Sequence, residues 1–194
     1  MQPLLVLASA SPRRLQLMKS LGLDPLVHVS DFDEETLSRS VSPAEYVVSA
    51  ALGKAMDVAQ RYKGLIIGVD TDVVCPDGEI LGKPIDDKDA RCMLVHLFGK
   101  THTVYSAIVL IDTRTQPFQM TQGVVCTTVT FKTLSTSALD EYVMSGSPCD
   151  KAGGYGIQDS VIKDIATVTG DVTSVIGLPT ELLRRLLATH GIKL

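Results

Sequence analysis

The chain has 194 residues, of which 45% are hydrophobic and 21% charged, and its formal net charge is -4. That length suits one domain, or two lobes sharing a core, and buries roughly 70% of the unfolded surface. The acidic balance argues against a general nucleic-acid binder, which carries a basic face, but leaves room for a small anionic ligand held by a few local cations.

"PLLVLAS" (Pro3 to Ser9) reads as a buried strand. "SPRRLQLMKSLG" follows as a helix, with Ser11 placed to cap it, Pro12 at its first position and Gly22 at its end. "PLVHVSDF" is a short second strand. The clearest helix is "SPAEYVVSAALGKAMDVAQRY", where Ser42-Pro43-Ala44-Glu45 spells a capping box. "GLIIGVDTDVV" is a strand, and "PDGEIL" turns into a short partner. "DDKDARCMLVHLFG" is a helix capped by Asp86 and ended by Gly99. "THTVYSAIVLID" and "GVVCTTVTFKTL" are two long strands joined through Thr113 to Pro117, an antiparallel pairing. "TSALDEYVMSG" is a short helix, "SPCDKAGGYGIQD" a polar glycine-rich stretch, "VIKDIATVTG" a strand, and "PTELLRRLLATHG" a closing amphipathic helix. Strands alternating with helices, plus an antiparallel pair, predict a mixed α/β fold. No linker divides the chain, and no Gly-x-Gly-x-x-Gly or Walker A loop follows the first strand.

Cys75, Cys92, Cys126 and Cys149 lack metal-ligand spacing and read as reduced core or near-core residues. The four histidines fit no zinc motif. "MQPLLVLAS" lacks the basic stretch and cleavage site of a signal peptide, and no segment has membrane-spanning length, so a cytoplasmic protein is expected.

Chemistry concentrates in a few places. "SASPRR" joins a strand end to a helix start, with Ser9, Ser11, Arg13 and Arg14 crowded at a terminus whose free N–H groups suit phosphate. A capped helix with two solvated arginines is the equally simple alternative. Lys54 falls on the apolar stripe of its helix with Val47, Ala51 and Val58, so it either snorkels outward or meets an anion. Asp70 and Asp72 share a face if their strand stays regular, with Thr71 on the other. Buried carboxylates are costly unless paired or metal-bound, so the pair suits a hard cation or a water-activating base; the simpler alternative is a strand end that reaches solvent at an ordinary hairpin. Lys83 follows the next turn, where it can offset phosphate charge. "DFDEE" is a solvated acidic loop or a source of one metal carboxylate. "DKAGGYGIQD" offers close backbone approach, and its Gln158 amide can read a base edge.

In this order the pieces resemble the Maf family of nucleoside triphosphate pyrophosphatases. The matching segments are "LASASPRRLQLM", "DEE", "GKA", "DTDVVCPDGEILGKP", "DARCMLVHLFGKTHTVYSA", "VTFKTLS", "DKAGGYGIQD" and "VIGLP", from about Leu5 to Pro179. The resemblance implies a single Maf-like domain over residues 1–194. Its fold would be similar to that of inosine triphosphate pyrophosphatases, an elongated mixed sheet with flanking helices and two lobes around a central cleft. It implies cleavage between the α- and β-phosphates, with Mg²⁺ or Mn²⁺ as cofactor. The implied roles are removal of non-standard or excess nucleotides and arrest of cell division. A homodimer is expected by resemblance alone.

Carried over by position, Asp70 matches the proton acceptor and metal carboxylate, Glu34 the acid of its motif, Lys54 the lysine of the second helix and Lys83 that of the "GKP" turn. Ser9, Arg13 and Arg14 match the phosphate-binding loop. Arg13, Thr71 and Gln158 match the branch similar to dTTP/UTP pyrophosphatases rather than that similar to 7-methyl-GTP pyrophosphatases. The chain departs from the family pattern at Asp72, Gly154, Asp159 and Val172. The competing expectations are a nucleotide sensor without turnover and a pyrophosphatase for modified purines.

Overall fold

A computed structural model of the chain describes residues 3–38 and 40–194. The opening apolar run forms β1 (Leu5–Ala8), which lies parallel to β2 (Leu26–Val27) on one side and to β3 (Leu65–Val74) on the other. α1 (Pro12–Ser20) links β1 to β2, and α2 (Pro43–Ala59) precedes β3. The chain therefore leaves β1 in one direction and comes back on its other side. Open α/β sheets bind ligands at such a reversal, outside the carboxyl ends of the strands. The register Ala8↔Gly68 sets Ser9 and Asp70 at that end.

β4 (Ile80–Leu81) folds back antiparallel onto the far half of β3. α3 (Asp87–Leu97) is N-capped by Asp86, whose carboxylate accepts the Asp89 N–H at 2.7 Å. The long strands are β5 (Thr101–Asp112) and β6 (Gln119–Phe131). α4 (Thr136–Met144) and α5 (Ser160–Ile165) follow, then β7 (Ala166–Thr169) antiparallel to β6, α6 (Val172–Ile176) and α7 (Thr180–Thr189). Hydrogen bonding orders the strands β2-β1-β3-β5-β6-β7, with β4 on β3, giving the mixed sheet the sequence predicts.

The chain divides into two compact units, and β3, β5 and β6 each supply residues to both. The first unit comprises Met1–Asp70, Ser106–Val125 and Gly177–Leu194. Its core joins Leu7, Leu65, Ile67, Val69 and Ile108 of the strands to Met18 of α1 and Leu182, Leu183, Leu186 and Leu187 of α7. The second unit comprises Thr71–Tyr105 and Cys126–Ile176. Val73, Val104, Val129 and Phe131 pack there with Leu94, Leu97, Leu139 and Tyr142 of the helices.

Three expectations need correction. Residues 160–165 are helical, not the start of a strand: Ile162 and Ile165, three apart, are both buried, which a helix allows and a strand of alternating faces does not. Ser11 stands at the N-cap of α1 but its side chain makes no capping bond. Of the four free cysteines only Cys75 is buried; Cys92, Cys126 and Cys149 are exposed. Among the described residues no helix is long and apolar enough to cross a membrane.

Candidate active site

The first unit assembles its charged cluster from α2, β3 and the loop between β2 and α2. Asp70 lies on the β3 face shared with Ile66 and Gly68, because side chains two apart in a strand point the same way. α2 covers that face very closely. A Cβ on Gly68 would stand 2.1 Å from the Ala51 carbonyl oxygen and 2.8 Å from Ala55 Cβ. Small residues on both elements thus let the helix approach the strand one turn from Lys54. The Lys54 ammonium donates to Asp70 Oδ1 at 2.6 Å and pairs with Glu34 Oε1 at 2.9 Å. Lysine on the apolar stripe has met an anion rather than snorkelled outward.

Glu34 reaches Lys54 because its loop is held to α2 at several points. Phe32 lies over Gly53, where an added Cβ would fall 2.4 Å from the ring. Asp57 of α2 accepts from Ser30 Oγ at 3.0 Å and the Asp31 N–H at 2.9 Å, and the hydrogen bonds hold its carboxyl below the ordinary aspartate range. Asp33 caps the short 3-10 turn Glu34–Thr36 by accepting the Glu35 N–H.

Beyond β1, Arg14 is fixed from two sides. Its Nε donates to the Gly177 carbonyl and one terminal nitrogen to Ser9 Oγ, both at 2.9 Å. Ser9 is buried and also accepts the Ser11 N–H at 3.2 Å. One guanidinium therefore ties the first loop to the segment before α7, residues 163 apart in sequence. Arg13 is partly buried at the start of α1.

The second unit carries Thr71, Asp72, Lys83 and Gln158. β3 remains regular through Val74, so Asp70 and Asp72 share a face and both are buried, while Thr71 is only partly so. Lys83, two residues past β4, is exposed. The Gly153 N–H donates to the Gly82 carbonyl at 2.9 Å, joining the glycine-rich segment to the residue before Lys83. Gly153 and Gly154 have φ of 67° and 71°, a left-handed pair that any side chain would strain. Gln158 is exposed on the turn that follows.

Residues 4–190 match the family model described as Maf-like protein. The chain belongs to the Maf family. Two curated relatives named dTTP/UTP pyrophosphatase are similar to it over almost their whole length. The one from Moorella thermoacetica is 42% identical over 97% of this chain and 95% of its own, and the one from Desulforamulus reducens is 43% identical over 100% of both. Among solved structures, the nucleoside-triphosphatase / dITP/XTP pyrophosphatase of Mycobacterium abscessus aligns at 15% identity and a TM-score of 0.44 over 95% of this chain and 92% of that one.

The Maf resemblance implies a divalent cation, and the residues present suit one. Asp70 and Glu34 are hard oxygen donors of the kind Mg²⁺ and Mn²⁺ take. Asp70 Oδ2 is buried and has no hydrogen-bond partner among the described residues, a costly condition that a cation relieves. Lys54 already pairs with one oxygen of each carboxylate. Among the described residues, the Cys75, Asp77 and Glu79 side chains also come close enough to share a cation, but none of them is a predicted site residue. Burial, with Asp77 and Glu79 nearby, pushes the Cys75 thiol up, as expected of a core cysteine.

Two supports of this site lie in matching segments, but their contacts are not written in the sequence. Ser106 Oγ donates to the Asp70 carbonyl at 3.3 Å, and Gly177 holds Arg14. "VIGLP" and "SPRR" each match the family pattern, but nothing in the sequence pairs Gly177 with Arg14. "GKA" likewise announced Lys54, but not Phe32 over Gly53.

Proposed function

We propose that this Maf protein hydrolyses dTTP and UTP to the monophosphate and pyrophosphate. The reading rests on its 42–43% identity, over at least 97% of the chain, with proteins named dTTP/UTP pyrophosphatase. The cluster of Lys54, Asp70 and Glu34, with Asp70 in the middle of β3 just past the carboxyl end of β1, supports it chemically.

Water attacks the α-phosphorus, the bond to the bridging oxygen breaks, and pyrophosphate leaves. Asp70 accepts the proton of the attacking water. Asp70 and Glu34 would hold Mg²⁺ or Mn²⁺, which supplies charge neutralisation and a more acidic water. Lys54, Arg13, Arg14 and Lys83 balance the phosphate oxygens and the charge that grows on the leaving group. Arg14 is oriented in advance by Gly177 and Ser9, so little freedom is lost when it meets phosphate. Ser9 completes the phosphate loop, while Thr71 and Gln158 hold the pyrimidine. The proposed location is the cytoplasm, where nucleoside triphosphates and a reducing environment coincide; three exposed free thiols suit it.

The test is a panel of nucleotides with Mg²⁺ or Mn²⁺, scoring pyrophosphate and phosphate separately. Pyrophosphate and monophosphate from dTTP and UTP, with little from ITP or 7-methyl-GTP, are expected. Preference for a purine would discard the roles of Thr71 and Gln158. Tight binding without turnover would make the protein a sensor.

A further inference from the structure

Gln158 occupies the third position of a four-residue turn, closed by the Asp159 N–H donating to the Gly156 carbonyl at 2.9 Å. Its neighbours are fixed with unusual care. Tyr142 of α4 is buried, yet its hydroxyl reaches both corners of this turn: it accepts the Gly156 N–H at 3.1 Å and donates to Asp159 Oδ2 at 2.7 Å. Ser147 Oγ donates to the same carboxylate oxygen at 2.7 Å, and Lys151 Nζ donates to Ser147 Oγ at 3.1 Å. On the other side, Tyr155 is locked through its hydroxyl to His102 Nε2 at 2.8 Å. Tyr155, Gly156 and Ile157 are buried, and the chain emerges only at Gln158.

Asp159 stands at the N-cap of α5 but makes no capping bond. Aspartate there ordinarily accepts an N–H from the first helical turn. Here the carboxylate turns back to Tyr142 and Ser147, so a favourable local bond is given up for one that fixes the turn. Gly156 leaves room for the same arrangement: a Cβ there would lie 2.7 Å from Lys151 Cε and 2.9 Å from Asp159 Oδ2, so both side chains would have to shift. The Tyr142 phenol is pushed up, first by burial and then by Asp159, so it keeps its proton and remains a donor.

We propose that Tyr142, through Asp159 and Gly156, is the positioning residue that sets base selectivity by holding the turn that presents Gln158. The inference rests on the proposed reading of Gln158 as the base-recognising amide. A turn fixed before the nucleotide arrives loses little backbone freedom on binding, and it holds the amide at one reach. A loosened turn lets the amide follow bases of different size.

The test compares kcat/KM for UTP and for GTP, with Mg²⁺, in the wild type, Tyr142→Phe, Asp159→Ala, Gln158→Ala and Tyr142→Phe/Gln158→Ala. Tyr142→Phe keeps the ring and removes the hydroxyl. It should lower the UTP-over-GTP ratio by about fivefold to tenfold, mainly through a higher KM for UTP. Asp159→Ala should do the same and serves if Tyr142→Phe folds poorly. In the Gln158→Ala background, Tyr142→Phe should change the ratio no further. A ratio lowered by Gln158→Ala but untouched by both Tyr142→Phe and Asp159→Ala would overturn the positioning role and leave the reading of Gln158 intact. A ratio unchanged in Gln158→Ala would remove that reading, and this inference with it.

Discussion

The Gly68 Cα and the Ala51 carbonyl oxygen are so close that a methyl group on Gly68 would come within 2.1 Å of that oxygen. This contact sets the distance between α2 and β3, and hence the 2.6 Å bond between Lys54 and Asp70. Gly68→Ala must therefore push the helix from the strand. It should cost about 1–3 kcal/mol of stability, as overpacked cores do. Turnover should fall with it, because Asp70 loses its partner. Thermal unfolding and a pyrophosphate assay on the same preparation check this; a variant as stable and active as the parent would show that the backbone yields there without consequence.

Lys54 and Asp70 are coupled as a largely buried ion pair, with side chains 14% and 6% exposed. Removing one partner strands the other charge. Lys54→Met should destabilise the protein by about 3 kcal/mol, and Asp70→Asn in that background should restore much of the loss. Asp70→Asn alone should reduce turnover by at least about 100-fold if Asp70 is the proton acceptor proposed above. Denaturant titrations of the two singles and the double decide the stability part: strictly additive losses would mean that the two charges do not depend on each other.

Phe32 and Gly53 give a second route to the same cluster. Gly53→Ala would drive a methyl into the Phe32 ring and shift the loop that carries Glu34. The expected result is a higher metal requirement for turnover with a modest stability loss of about 1 kcal/mol. Phe32→Leu in the Gly53→Ala background should recover part of both. A Gly53→Ala enzyme with an unaltered Mg²⁺ dependence would break the link between this contact and Glu34.

Much of this was readable from local pattern. β3 was evident because apolar residues flank Asp70 and Asp72 on both sides, and α2 because its capping box and stripe agree; Ser42 and Glu45 do form that box. The same stripe located Lys54 among buried residues. Other features resist local reading. Val161, Ile162 and Ile165 favour a strand by type, yet they lie in α5, whose buried Ile162 and Ile165 follow helical spacing. Arg14 finds Gly177 across most of the chain, and Phe32 finds Gly53 across a loop. Tertiary contacts of that kind leave no periodicity. The outward placement of Cys92, Cys126 and Cys149 likewise depends on neighbours that composition does not name.

His102 gives a pH dependence whose sign is fixed by its surroundings. The ring is buried against Phe131 and Tyr155, with centroid separations of 4.8 Å and 5.4 Å. Nε2 shares a hydrogen bond with the Tyr155 hydroxyl, while Nδ1 has no partner among the described residues. A second ring proton would therefore be buried without an acceptor, and burial lowers the pKa from 6.5 to about 4. In the unfolded chain the ring protonates near 6.5. As pH falls from 6.5 toward 4, the unfolded state takes up a proton that the folded state refuses, so stability declines across that window. The loss between pH 7 and pH 5 should be about 2 kcal/mol from this residue. His102→Gln, which cannot titrate, should be less stable than the wild type at pH 7 but lose less between pH 7 and pH 5. Urea unfolding at both pH values measures the difference, and parallel pH slopes for the two proteins would show that His102 protonates in the folded state as readily as in the unfolded one.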